Sequence, residues 1–191
     1  MEITFRHMAK SKTKNNTTSE KTPSKTKEEI MKEAKRIEES TLYSAKGHFV
    51  AASFWSYFHL VIGIPVVGMS AIAGLSILSD FDKSKTLSGI LTISVTGLSA
   101  LMTFLNPNGR SSTHLNCGNG YDSINNKVRI FRTIDCWREK SEEVLTEKLK
   151  YYSEQKDRLN NTSPQIPWFA YLLARKGIEK GEADFIADKS V

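Results

Sequence analysis

FVAASFWSYFHLVIGIPVVGMSAIAGLSIL, residues 49–78, and TLSGILTISVTGLSALMTFL, residues 86–105, contain no Asp, Glu, Lys or Arg. All 27 Lys and Arg residues and all 21 Asp and Glu residues lie outside these two stretches. A charge-free run of about 20 apolar residues is long enough for a helix to cross the hydrocarbon core of a bilayer. The sequence therefore predicts an all-α membrane protein with two spans, at about residues 55–78 and 86–105.

Residues 79–85 form a short connection between the two predicted spans. So short a connection predicts a two-helix transmembrane hairpin, with both chain termini on the same side of the membrane. Lys and Arg are frequent beside the termini, whereas the connection has two Lys balanced by two Asp. Membrane proteins keep their excess of Lys and Arg in the cytoplasm, so we expect cytoplasmic termini and an external connection.

Gly63 and Pro65 interrupt the first apolar stretch. Proline lacks the backbone donor and clashes with the preceding turn, which predicts a helix kink close to these two residues. The kink would divide the stretch into an interfacial portion and a spanning portion of about 20 residues. Aromatic side chains gather in the interfacial portion, as in the aromatic belts of membrane proteins: Trp55, Tyr57 and Phe58.

The charged parts of the chain predict long cytoplasmic helices flanked by two tails. Apolar residues recur at helical spacing before the first span and after the second. The stretch after the second span fits one long helix with a break or two packed helices. The N-terminal tail is rich in Lys, Thr, Ser and Asn and has too few apolar side chains to fold. The predicted division is a disordered basic tail at 1–27, helices at 28–48, 111–160 and 167–177 within a two-transmembrane domain at 28–186, and a tail at 187–191.

An apolar face recurs on the helix that follows the second span, formed by Tyr121, Ile124, Val128 and Phe131. A lone helix beside a membrane cannot bury such a face by itself. Two partners fit the pattern equally well. One is a second copy of the chain, which makes this the candidate oligomer face, and the other is residues 30–45 of the same chain.

Five hydroxyl side chains recur at helical spacing along one face of the second span. They can bond back to backbone carbonyl groups or hold helices together, as hydroxyls in membrane helices commonly do. Alternatively, oligomerisation turns this face toward a water-filled lumen. The candidate pore-lining or helix-packing residues are Ser88, Thr92, Thr96, Ser99 and Thr103.

Residues that carry enzyme chemistry form no recognisable motif in this sequence. It contains no phosphate-binding Gly loop, no nucleophile motif and no zinc spacing of Cys or His. We therefore expect no catalytic, cofactor-binding or metal-binding residues, no enzyme activity and no specific nucleic-acid partner. His48 and His59 fit polar tips at a membrane interface, and His114 fits a helix cap or an inter-helix hydrogen bond.

Short motifs are distributed in order over residues 26–186. They are YSAKGHF at 43–49, GIP at 63–65, SAIAG at 70–74, TFLNP at 103–107, His114, Tyr121, LN at 159–160, SPQIP at 163–167, AY at 170–171 and GI at 177–178. In order and spacing this series resembles the SLATT family, the bacterial two-transmembrane effectors associated with SMODS and SLOG domains.

The resemblance implies an effector of anti-phage defence in the bacterial inner membrane, which oligomerises and forms a pore or disrupts the membrane. In such systems a separately encoded cyclic-oligonucleotide synthase or another sensor supplies the trigger. Membrane lipid and further copies of the chain are the implied partners. Two other functions fit the residues: a membrane-anchored helical scaffold without pore activity, and a soluble helical bundle whose apolar hairpin is a buried core.

Overall fold

The computed structural model describes residues 24–78 and 85–185, which form helices joined by short connections. No strand occurs in this part of the chain, which confirms the predicted all-α class. The predicted tail up to residue 23, the connection at 79–84 and the C-terminal tail from residue 186 lie outside the described residues. Two of the helices are long and apolar enough to cross a membrane.

The first helix, α1, runs without interruption over Lys25–Leu78. At 1.5 Å per residue its 54 residues extend about 80 Å, more than twice the thickness of a bilayer core. Ser24 caps its start, because Ser24 Oγ accepts a hydrogen bond from Lys27 N at 3.2 Å. Residues 25–27, predicted as part of the tail, are therefore helical. Pro65 lies inside α1 with helix on both sides, and the predicted kink stays a prediction.

A single residue, Asn106, separates α2 (Lys85–Leu105) from α3 (Pro107–Ile130). Asn106 ends α2 in a left-handed conformation with φ 43° and ψ 57°, and its Oδ1 accepts a hydrogen bond from Gly109 N at 3.1 Å. Proline suits the first position of α3 because a backbone donor is not needed there. The helix predicted to begin at residue 111 therefore begins at Pro107.

The long helix predicted at 111–160 is divided in the structure. A π-helical segment at Phe131–Asp135 and the short helix α4 at Cys136–Arg138 end its first part. Ser141 then caps α5 (Glu142–Thr162), since its side chain accepts a hydrogen bond from the backbone of the first turn. A break followed by a second helix is therefore present, and the helices extend beyond the predicted range at both ends, from Pro107 to Thr162.

The helix α3 runs antiparallel to the first half of α1. Ser111 Oγ, near the start of α3, donates a hydrogen bond to Ala52 O at 2.8 Å. Arg132, just beyond the end of α3, binds Glu38 with Nε and Oε2 2.7 Å apart. The antiparallel direction follows from α2, which returns along α1 and continues into α3 after one residue.

The helices α5 and α6 complete a bundle with α1 and α3. Tyr121 of α3 donates a hydrogen bond to Asn160 Oδ1 near the end of α5, at 2.8 Å, so α5 runs back along α3. The last helix, α6, spans Trp168–Glu179, close to the predicted 167–177. It lies against α1, where the rings of Tyr171 and Tyr43 are 6.5 Å apart.

A buried apolar core holds this bundle together away from the predicted spans. Phe131 lies at the centre of this core and is 0% exposed. The centroid of its ring is 5.6 Å from that of Tyr152. The other buried members come from α1, α3, α4 and α5: Ile30, Ala34, Ile37, Ile124, Val128, Cys136 and Leu145.

The candidate oligomer face is buried inside one protomer. Tyr121, Ile124, Val128 and Phe131 are each at most 7% exposed, and the last three lie in the core beside α1. A second copy of the chain cannot reach these side chains while the bundle is intact. Of the two partners that the sequence allowed, the same chain is the one found, so this face serves the bundle and not an oligomer contact.

The predicted spans leave the bundle with their apolar side chains uncovered. In the most apolar 18-residue window of each candidate membrane helix, 6% of the residues are buried. A soluble protein built around an apolar hairpin would bury most of these side chains. Within one protomer the apolar hairpin is therefore not a buried core.

Phe131→Ala is expected to lower the free energy of unfolding of the bundle by about 3–5 kcal/mol, because loss of a buried ring leaves a cavity. Chemical denaturation of the detergent-solubilised protein, followed by circular dichroism, measures this change. Ile134→Ala is the control: Ile134 is 47% exposed, so we expect a loss of about 1 kcal/mol or less. Unchanged unfolding of Phe131→Ala together with a smaller oligomer would contradict the assignment to the core.

Candidate functional site

The hydroxyl stripe of α2 borders the contact between α2 and α1. Thr92, Thr96 and Thr103 are exposed, whereas Ser88 and Ser99 are half-buried. Ser99 faces a groove between the two helices. The stripe therefore lies along one flank of the helix pair, where it is open to a partner outside the protomer.

Three hydroxyls of the stripe are satisfied by their own helix. Thr92 Oγ1 donates a hydrogen bond to Ser88 O at 2.8 Å, and Thr96 Oγ1 donates to Thr92 O at 2.8 Å. Thr103 Oγ1 donates to Ser99 O at 2.9 Å. Back-bonding of this kind lets Thr sit in apolar surroundings. Each hydroxyl oxygen can still accept a hydrogen bond, so both water and a neighbouring helix remain suitable partners.

An open groove of about 550 Å³ lies between α1 and α2 at the end nearer the bundle. It brings together Gly63, a predicted kink residue, and Ser99 of the stripe. His59 is the most polar side chain in it, and its Nδ1 is buried with no hydrogen-bond partner among the described residues. The rest of the lining is apolar and suits an acyl chain or an apolar side chain: Leu60, Ile64, Val66, Val67 and Met102.

The glycines of the two apolar helices do not mediate the contact between these helices. A Cβ added at any of five glycines would meet nothing within 4 Å beyond its own stretch of helix. Glycine leaves room for the backbone of another helix to approach closely. The open positions are Gly63, Gly68, Gly74, Gly89 and Gly97.

A buried pair of histidines joins α1 to α3. His48 Nδ1 and His114 Nδ1 lie 2.8 Å apart, so one ring donates a hydrogen bond to the other. The His48 ring also stacks on Tyr121, with the centroids 5.5 Å apart. The inter-helix hydrogen bond expected for His114 is confirmed, but His48 is 1% exposed and is not a polar tip at an interface. Sequence reasoning missed the pair because 66 residues separate its members.

Burial keeps this histidine pair uncharged at neutral pH. Burial, and then the nearby His114, lower the pKa of His48 from its usual 6.5 to about 4. Burial, and then the positive charge of Arg110, lower the pKa of His114. Burial likewise raises the pKa of Tyr121. The two histidines form a neutral, hydrogen-bonded pair, and the Tyr121 ring stacked on His48 adds to the packing of α1 against α3.

Metal-binding and nucleophilic side chains are scattered over the part of the chain that the structure describes. Within residues 24–78 and 85–185, no group of three or more His, Cys, Asp or Glu side chains is placed to hold a metal ion. Cys136 lies in the core, and burial raises the pKa of its thiol, which disfavours the nucleophilic thiolate. Cys117 is a half-buried free thiol.

An aromatic cluster at the start of the first apolar stretch includes residues that the sequence did not mark. Phe169 of α6 packs on Phe54 of α1, with the centroids 4.8 Å apart. Phe54 also contacts Trp55 at 5.5 Å, and the Arg110 guanidinium lies 5.1 Å from the Trp55 ring. In the sequence, only the adjacent aromatic residues Trp168 and Phe169 could have indicated that this helix takes part in the cluster.

The hydroxyl stripe, the groove and the aromatic cluster all lie on or beside the two apolar helices. Each of them has surface that is open to a partner outside the protomer. Comparison with protein-family models, with curated proteins and with solved structures finds no match to this chain.

The free energy of unfolding of the bundle is expected to fall as the pH decreases from 6.5 toward 4. In this range an unfolded His48 binds a proton that the folded ring does not, so acid favours the unfolded chain. The lowered pKa of His48 corresponds to a loss of about 3 kcal/mol, absent above pH 6.5 and complete below about pH 4. Denaturation of the detergent-solubilised protein at a series of pH values measures this loss.

The control for the histidine pair is the double variant His48→Phe with His114→Leu. It keeps an aromatic ring against Tyr121 and removes both titrating groups of the pair. We expect its unfolding free energy to depend less on pH over the same range, since the other carboxyl and histidine groups titrate in both proteins. An equal pH dependence of the two proteins would disprove the role of the pair.

Proposed function

We propose that this chain is an oligomeric membrane effector that forms a pore or disrupts the bilayer. Its apolar segments, residues 55–78 of α1 and 86–105 of α2, cross the membrane as a hairpin. The observation that carries the proposal is their exposure, since 6% of the most apolar window of each helix is buried. An apolar surface of this extent calls for lipid or another protein against it.

The bundle supports a position in water next to the membrane. It has its own buried core, and its outer surface carries exposed ion pairs such as Arg36 with Glu33 and Arg175 with Glu179. Because α1 passes from the bundle into its apolar half without a break, the bundle lies directly beside the membrane. The excess of Lys and Arg near the termini favours the cytoplasmic side for the bundle and for both chain ends.

Several copies of the chain are needed to make a pore. Two spans cannot enclose water, because the backbone in a bilayer is satisfied only within helices or closed barrels. The exposed hydroxyls of Thr92, Thr96 and Thr103 supply polar surface of the kind that a lumen requires. The open glycine positions supply surface at which helices of neighbouring copies can approach each other closely.

The place of this effector in anti-phage defence rests on the resemblance to the SLATT family. On that basis we assign it to the bacterial inner membrane as a multi-pass protein without enzyme activity or cofactor. Its partners are membrane lipid and further copies of itself, without a specific nucleic acid. A separately encoded cyclic-oligonucleotide synthase or sensor provides the signal that triggers it.

A membrane-anchored scaffold without pore activity is the second candidate. The donors of Thr92, Thr96 and Thr103 are used within their own helix, so the stripe does not require water beside it. Exposed aromatic side chains on the bundle, Trp137 at 60% and Tyr151 at 55%, offer surface to a protein partner.

Thr96→Leu separates the pore from the scaffold. If the stripe lines a lumen, a bulky apolar side chain near mid-span narrows or dewets it, and leakage of a dye from vesicles falls. Membrane insertion is unaffected, because Leu is at least as compatible with lipid as Thr. Leakage is measured at matched amounts of inserted and assembled protein.

The control for Thr96→Leu is Ile90→Leu. Ile90 is 58% exposed and lies on the opposite side of α2 from the stripe, at 3.6 residues per turn. We expect its leakage to equal that of the unaltered protein. If Thr96→Leu also leaks undiminished with normal assembly, the stripe does not line a lumen.

The orientation is tested by cysteine labelling in a background where Cys117 and Cys136 are replaced by Ala. A cysteine at residue 84, in the connection between the spans, is expected to react with a membrane-impermeant thiol reagent added outside intact cells. A cysteine at residue 19, in the basic tail, is expected to react only after the cells are opened. Labelling at residue 19 in intact cells would overturn the cytoplasmic position of the N-terminus.

A further inference from the structure

We propose that the first turns of α6 dock in the headgroup region of the bilayer, as a third membrane contact beside the two spans. The docking residues, which we name the α6 anchor, are Trp168, Phe169 and Leu172. The inference rests on the proposed membrane insertion and adds a surface that belongs neither to the spans nor to the hydroxyl stripe.

Small residues hold α6 closely against α1. Ala170 and Ala174, four residues apart on the same side of α6, are 0% and 3% exposed. Just before the helix, Ile166 packs on Gly47, where an added Cβ would lie 3.0 Å from the Ile166 side chain. Because its small residues face the bundle, the large apolar residues of α6 project outward.

The α6 anchor lies level with the ends of both apolar helices. Phe169 packs on Phe54, at the beginning of the first apolar stretch. Arg110 Nε donates a hydrogen bond to Leu105 O, at the end of α2, at 2.7 Å. The Arg110 guanidinium also lies over the ring of Trp55, so the end of α2 is at the same level as the start of the first apolar stretch. A bilayer that receives the two spans therefore brings its headgroups to the position of the α6 anchor.

The α6 anchor exposes large apolar side chains at this level. Trp168 is 76% exposed and Leu172 is 52% exposed. They are four residues apart, so they lie on the same side of the helix. Tryptophan is enriched at membrane interfaces because its ring is largely apolar and its N–H can still reach a polar partner.

The charge that follows on the same side of α6 favours a bilayer with anionic lipids. Lys176 continues the four-residue spacing of Trp168 and Leu172 and lies about 12 Å from Trp168 along the helix axis. An apolar end followed by a basic residue suits an interface, since the Lys stem extends its ammonium to lipid phosphates. Glu179 lies on the same side of α6 and is neutralised by Arg175, with Arg175 Nε and Glu179 Oε1 2.7 Å apart.

The three tryptophans of the chain provide the test. Single-tryptophan variants keep Trp168, Trp55 or Trp137 and carry Phe at the other two positions. Each full-length variant is reconstituted into vesicles of phosphatidylethanolamine and phosphatidylglycerol that carry a nitroxide quencher on the headgroup. Trp137 is the matched control, because it is 60% exposed but lies beside Met31, at the end of α1 remote from the spans.

We expect the headgroup nitroxide to quench Trp168 and Trp55 and to leave the fluorescence of Trp137 unchanged. Quenching of Trp55 without quenching of Trp168 overturns the α6 anchor but agrees with the proposed membrane insertion. If neither Trp55 nor Trp168 is quenched, membrane insertion fails and the α6 anchor fails with it. A Trp168 that resists both the nitroxide and aqueous iodide is covered by protein, such as a second copy of the chain, and this also overturns the lipid contact.

Discussion

Close packing between α1 and α3 positions the rest of the molecule, and small residues make it possible. Gly118 of α3 faces the ring of Phe49, which an added Cβ would approach to 2.7 Å. On α1, Ala45 and Ala51 are at most 2% exposed. Because α3 follows α2 after the single residue Asn106, this contact also determines the direction of α2 along α1. The helices α5 and α6 then cover the remaining sides of the α1 and α3 pair.

Neither apolar helix is joined to the bundle through a loop. The helix α1 is continuous, and at the junction of α2 and α3 Asn106 holds its left-handed backbone with a hydrogen bond from Gly109 N. A change in the packing of α1 against α3 would therefore be passed to both apolar helices, because neither junction contains a loop. His48 and His114 lie in this packing, so protonation of either ring would place a charge inside the contact between α1 and α3.

The helices and the hydroxyl stripe could be predicted because local spacing encodes them. The predicted start of α3 was wrong because Asn106 and Pro107 end α2 and also begin α3. Residues that indicate the end of one helix do not specify where the next one begins. The π-helical segment at Phe131–Asp135 could not be predicted from the spacing of apolar residues. The histidine pair and the contact of Phe169 with Phe54 join residues far apart in sequence, so only the tertiary fold brings them together.

The four sides of α2 give a consistent arrangement for an assembly with a lumen. One side packs on α1, and the hydroxyl stripe lies next to it around the helix. Beyond the stripe comes a side with Gly89, Gly97 and the exposed Ile93 and Phe104, and Ile90 and Leu101 occupy the remaining side. If the stripe faces water, α1 flanks the lumen on one side, and the glycine side meets the neighbouring protomer on the other. Ile90 and Leu101 then face lipid, so each side of α2 has a partner that suits its chemistry.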